Sequence, residues 1–208
     1  MTAEPGGNPV AGNQRGRYGP SMINDRNAGP GRLSVPDAPV PDTKDWTWVL
    51  DGRCEFCAFE GRRVAGTEVS AAVSGLVPRW LRVLARDDVA VRPAPAVWSP
   101  LEYACHVRDV FVVFADRATL MLTEDGPRFA DWDQDAAAIA GRYWEQDPHR
   151  VAEELAEQGS HLSAVFAAVP PQSWARTGLR SNGSSFTVDS LGRYLLHDVV
   201  HHVADVSG

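Results

Sequence analysis

The sequence has no run of 18 apolar residues, so no segment of it can cross a bilayer as a helix. Its opening stretch, MTAEPGGNPVAGNQRGRYGP, lacks the apolar core of a secretory signal, and a cytoplasmic protein is expected. Cysteine is scarce: three among 208 residues, one of them inside an apolar helical pattern, do not make a disulfide framework. Positive charge is also short, with 20 Lys and Arg against 27 Asp and Glu and a formal net charge of -7. The first 42 residues add nothing to that balance, since four arginines there offset Glu4, Asp25, Asp37 and Asp42. The remainder is therefore acidic throughout, which argues against nucleic acid as a partner.

What is present divides at about residue 42. Residues 1–42 hold 7 of the 15 prolines and 7 of the 18 glycines, with few large apolar side chains and no period. Such a segment cannot bury enough surface to offset its ordering entropy, and a disordered tail is expected. Residues 43–208 are expected to form one domain. It opens with DWTWVL and then Cys54-Glu-Phe-Cys57. This CxxC has no second pair to complete a structural zinc site, and three readings stand: a packed turn, a metal clip completed by a distant residue, or a redox pair.

Helical periodicity marks four long segments, 69–84, 100–122, 147–169 and 186–206, joined by irregular connections. Pro78 is expected to kink or break the first. The second has the best-marked start, with Ser99 at the N-cap, Pro100 at the first helical position and Glu102 at the third, a capping box. Glu102 either serves that cap or accepts a hydrogen bond near His106. An alanine run at 136–140 suggests a short helical piece before the third helix, in which His149 and His161 have polar neighbours and are expected to face solvent. Residues 172–186 are expected to be a turn-rich connection, tightest at Ser181-Asn182-Gly183.

The last segment, FTVDSLGRYLLHDVVHHVADV, organises the rest. Thr187 can cap it, with Asp189 in the first turn. His197 and His201 differ by about 40° around the axis, so both imidazoles leave one face, one turn apart. They are either half of a metal site or a solvated pair. Four amphipathic helices bury their stripes as a four-helix bundle, in which ligands come from facing helices and His106 is the natural third member. Three imidazoles leave a position open, as catalytic sites do. His202 lies about 100° beyond His201 and is expected to point away from such an ion.

WSPLEYACHVRDV, followed some ninety residues later by YLLHDVVHHVADV, resembles the DinB superfamily over about residues 65–208. The lead-in DWTWVL…CEFC resembles a subgroup of it. The resemblance implies an all-α four-helix bundle carrying a divalent metal (zinc, nickel, iron or manganese) on His106, His197 and His201. It further implies a metal-dependent enzyme transferring a low-molecular-weight thiol, such as mycothiol or bacillithiol, to or from a small electrophile. A non-catalytic metal- or small-molecule-binding bundle and a metal-dependent hydrolase or cyclase are the alternatives. Tyr194, one turn before His197, is the candidate catalytic hydrogen-bond donor. Arg193 is a candidate contact for an anionic group, and Asp198 and Asp205 are candidates to orient a liganding imidazole. The expected partner is a small-molecule substrate, with no nucleic acid and no membrane, and with a homodimer left open as the assembly.

Overall fold

The computed structural model describes Pro36 and residues 44–208. The disordered tail expected over residues 1–42 falls, Pro36 apart, outside the described residues. Asp45 caps a 3-10 turn, Trp46–Leu50, by accepting from the Thr47 amide at 2.9 Å. The Cys54–Cys57 loop and two further short 3-10 turns then lead into the first long helix.

Four long helices follow where the apolar periods place them: α1 (Val69–Leu84), α2 (Pro100–Thr123), α4 (Pro148–Ala167) and α5 (Val188–Asp205), with the short α3 (Gln134–Ala140) between α2 and α4. Pro78 lies inside α1 and does not end it. α1 and α2 are each flanked by α4 and α5, so the helices that follow one another in the chain are not simply neighbours around the bundle. The core between them is built from long apolar side chains such as Trp80, Phe111, Leu155, Phe166 and Leu195, all buried. The Val69 side chain of α1 and the Phe166 ring of α4 fill the space beside Gly192 of α5, where a Cβ would stand 2.8 Å from Val69 Cγ2 and 2.9 Å from Phe166 Cε1. Only glycine admits so close a contact.

The 172–186 connection is more ordered than its turn-rich composition suggests. It contains β2 (Thr177–Arg180) and β3 (Ser185–Thr187), antiparallel across a tight turn in which Gly183 takes φ +97°. A positive φ of this kind is unstrained only for glycine. β1 (Arg128–Phe129) pairs parallel to β2 and completes a three-stranded ribbon. These strands are too short to show a period in the sequence, yet they carry Arg180 and Tyr194's neighbour Phe186 to one end of the bundle.

α2 begins as the capping box requires. The Ser99 hydroxyl accepts from the Glu102 amide at 3.3 Å, and Glu102 Oε2 accepts from the Ser99 amide at 2.9 Å. The Glu102 carboxylate, almost fully buried, also takes the Arg92 guanidinium, with Nε donating to Oε2 at 2.8 Å. It is thus committed to the cap and to Arg92 rather than to His106. Cys105 packs as a buried apolar residue, while His149 and His161 are exposed. Replacing Ser99 by Ala is expected to cost about 1 kcal/mol in chemical denaturation. Glu102→Ala, which leaves Arg92 without its buried partner, is expected to cost about 3–5 kcal/mol.

Candidate metal centre

α5 turns by about 100° per residue, and its buried apolar stripe runs through Leu195, Val199 and Val203. Measured from Val199, His202 lies about 60° round the axis and Asp198 about 100°, whereas His197 and His201 both lie about 160° away. The first pair therefore flanks the core and looks toward α2. The second faces away from the bundle, and its burial depends on the lead-in that crosses α5 there.

The histidines accordingly divide into two groups. His106 of α2 joins Asp198 and His202, with one ligand atom from each within 4.8 Å of the others. His197 and His201 join Cys54 and Cys57 under the same limit. His106, His197 and His201 do not form such a group among the described residues, and His202, expected to point away, belongs with His106. The reason is angular: the bundle presents to α2 the stripe beside the core, not the stripe opposite it.

His106 is 1% exposed and packed between rings, stacked on Trp132 at 5.4 Å between centroids and edge-on to His202 at 4.9 Å. Both its ring nitrogens and Asp198 Oδ1 are shielded from solvent without a hydrogen bond. His106 Nε2 and Asp198 Oδ1 face each other at 3.4 Å, outside hydrogen-bond geometry. Burial pushes the His106 imidazole down, toward the neutral form that can ligate a cation, with Asp198 opposing. Burial alone would raise the Asp198 carboxyl, but the imidazoles of His106, His202 and His197 outweigh it and hold it at about 2. Asp205 lies 2.8 Å from His202 Nδ1, which fixes the ring and turns Nε2 toward Asp198, 3.8 Å away. The unpartnered His106 nitrogens and Asp198 Oδ1, converging with the His202 ring, suit a divalent cation.

This group lies at the edge of a cleft of about 830 Å³. Tyr194, one turn before Asp198, lines it, as do Tyr103, Trp98 and Trp132. Tyr194 stacks on Phe114 and meets Phe186 edge-on, so its ring is a packed part of the cleft wall. Burial raises its phenol further above neutrality, with Arg180 opposing, and it remains a donor. Arg180 supplies a cation to the same cleft, held by Asn182 Oδ1 at 2.9 Å and Ser184 Oγ at 3.1 Å and facing Asp131 Oδ1 at 3.6 Å. Arg193, the arginine singled out by its position on α5, is instead paired with Asp189 at 2.8 Å.

A bundle with one ligand on α2 and a pair one turn apart on the last helix can now be compared with known proteins. The family model of the DinB superfamily matches residues 71–206. The chain belongs to the DinB superfamily. Among solved structures it is similar to YfiT from Bacillus subtilis, at 17% identity and a TM-score of 0.60 over 68% of this chain and 85% of that one. That protein is described as "a probable metal-dependent hydrolase with an unusual four-helix bundle topology". Comparison with curated protein sequences gives no match. Among the described residues, no helix of this DinB protein is long and apolar enough to cross a membrane.

Sequence reasoning had placed Asp198 and Asp205 as orienting groups. Asp205 stands in that relation to His202, but Asp198 is itself in the ligand group. The signal that could have found it is the Asp198/His202 spacing, which equals that of His197/His201. Asp205→Ala is expected to weaken divalent metal binding by about 10- to 100-fold, measured by competition with a chelating dye, without loss of helix content by circular dichroism.

Proposed function

We propose that this DinB protein is a divalent-metal-dependent enzyme whose centre is His106, Asp198 and His202, and that it transfers a low-molecular-weight thiol to or from a small electrophile. The observation that carries the reading is the three-ligand set of which Asp198 and His202 line an open cleft with His106 buried behind them. Three protein ligands leave a coordination position free, the arrangement of catalytic rather than structural sites. A divalent cation bound there would supply a Lewis acid that brings a thiol or a water toward deprotonation near neutral pH.

The chain's own residues account for the rest. Trp98, Trp132 and Tyr103 wall the centre with apolar surface, which limits water around it. Arg180 offers its guanidinium to an anionic group of the substrate or of the thiol. The Tyr194 hydroxyl, protonated at neutral pH, donates to an oxygen on which charge develops. The cleft's volume supports two reactants rather than one, since about 830 Å³ lies in the upper part of the range for small-molecule pockets. The likeness to YfiT supports a second reading, metal-dependent hydrolysis, in which water takes the place of the thiol.

One assay separates them: the metal-loaded protein with mycothiol or bacillithiol and a panel of epoxides and activated alkenes, run beside hydrolysable esters and amides. Thiol-dependent turnover that disappears on chelation and in His106→Ala is the expected result. Turnover without thiol selects hydrolysis, and bound metal without turnover on either panel selects a non-catalytic binding bundle. In the active case Tyr194→Phe is expected to lower kcat on the order of 100-fold with KM little changed, and Arg180→Met to act mainly through KM.

A further inference from the structure

The geometry points to a second metal site, a closed tetrahedral centre for zinc or another thiophilic divalent cation, formed by Cys54, Cys57, His197 and His201. It is distinct from the three-ligand centre and does not depend on activity there.

The four donors come from elements far apart in sequence and lie within 4.8 Å of one another. Zn–S bonds of about 2.3 Å and Zn–N bonds of about 2.0–2.1 Å at tetrahedral angles put a ligating sulfur and nitrogen about 3.6 Å apart. Cys54 Sγ and His201 Nδ1 are 3.6 Å apart. His197 Nε2 is buried with no hydrogen-bond partner. A satisfied core histidine would have one, so the atom is oriented for something else.

The loop holding the two cysteines is shaped for ligation. Ala58, directly after Cys57, takes φ +60°, a left-handed conformation that a residue with a Cβ adopts only when its surroundings demand it. That turn reverses the chain so that the Cys54 amide donates to the Phe59 carbonyl at 2.8 Å. Both cysteines are free thiols.

Charge balance favours the same occupant. Two thiolates, two neutral imidazoles and a dication sum to zero, the condition for burying ions in an apolar wall. The wall is aromatic: Trp46 lies 5.2 Å from His197 and 5.0 Å from His201 between ring centroids, with Phe59 on His197 and Phe56 on His201. Loading would release the two thiol protons to solvent. With four protein ligands no coordination position is open, so the site would be structural, fastening the Trp46–Leu50 turn and the cysteine loop across α5.

The test is cobalt(II) substitution of the full chain, reduced and stripped of metal. A near-ultraviolet thiolate-to-cobalt charge-transfer band is expected in the wild type, retained in His106→Ala and lost in Cys57→Ser. Zinc is expected to slow the reaction of Cys54 and Cys57 with a disulfide reagent by at least about tenfold. Because the wild-type spectrum and the thiol kinetics need no variant, a Cys57→Ser protein that fails to fold does not obscure the result. Absence of the band from the wild type, or equal thiol reactivity with and without zinc, would overturn the site. Loss of the band in His106→Ala, with helix content intact, would merge the two groups into one centre and overturn their separation. Retention of the band alongside an inactive His106 centre leaves this site standing and removes only the catalytic reading.

Discussion

A helix that turns about 100° per residue cannot present adjacent side chains to one neighbour. α5 carries His197 beside Asp198 and His201 beside His202, two pairs of equal spacing displaced by one residue. Each pair must therefore meet a different partner: Asp198 and His202 meet α2, and His197 and His201 meet the cysteine loop. The rest of the arrangement follows from that constraint. The bundle supplies the first partner. The second stripe lies nearly opposite the core, where a bare four-helix bundle would leave it in water. The lead-in before α1 is what makes it an interior surface.

Holding His106 against α5 depends on where α2 starts. The Ser99–Glu102 box and the Arg92 guanidinium fix the first turn of α2, and His106 stands one turn beyond Glu102. Gly192 leaves room for the Val69 and Phe166 side chains against α5, and the buried apolar stripe of α5 sets its rotation. The polar groups at the centre are thus placed by packing rather than by their mutual attraction. That is why two ring nitrogens and a carboxylate oxygen can remain without hydrogen bonds at the end of a well-packed core. Left alone, such groups cost free energy. Their persistence in this position is the physical argument for a cation as their proper partner.

The bundle, its four long helices and the cap of α2 were legible because each rests on local pattern: apolar spacing for the helices, and Ser99, Pro100 and Glu102 for the cap. The choice of stripe on α5 was less so. His197 and His201 draw attention as identical ligands one turn apart, while Asp198 hides as an ordinary charged residue. An angular comparison with Val199 would have set His202 nearer the core than His201. The pairing of Cys54 with His201 across 147 residues is different in kind. No local pattern encodes it, and the CxxC could be read equally as a packed turn, a redox pair or a clip until the fold closed the distance. The β2–β3 hairpin escaped notice because strands of three or four residues carry no readable period.

The lead-in also links the two groups to one cleft. Lys44, Asp45 and Trp46 form part of its wall, as do Asp131, Asp133 and Asp135. Lys44 lies over the Trp46 ring at 4.3 Å, and Trp46 in turn covers His197 and His201. Anything that loosens the cysteine loop from α5 must therefore move a wall of the cleft and uncover one side of α5. The backbone that positions His197 and His201 is the same backbone, one residue on, that positions Asp198 and His202. A clamp on the outer stripe would restrict the rotation of the helix about its axis, a rigid-body motion that would carry Asp198 and His202 away from His106. The two groups need exchange no ligand to be coupled. They share a helix, and fixing either stripe fixes the other.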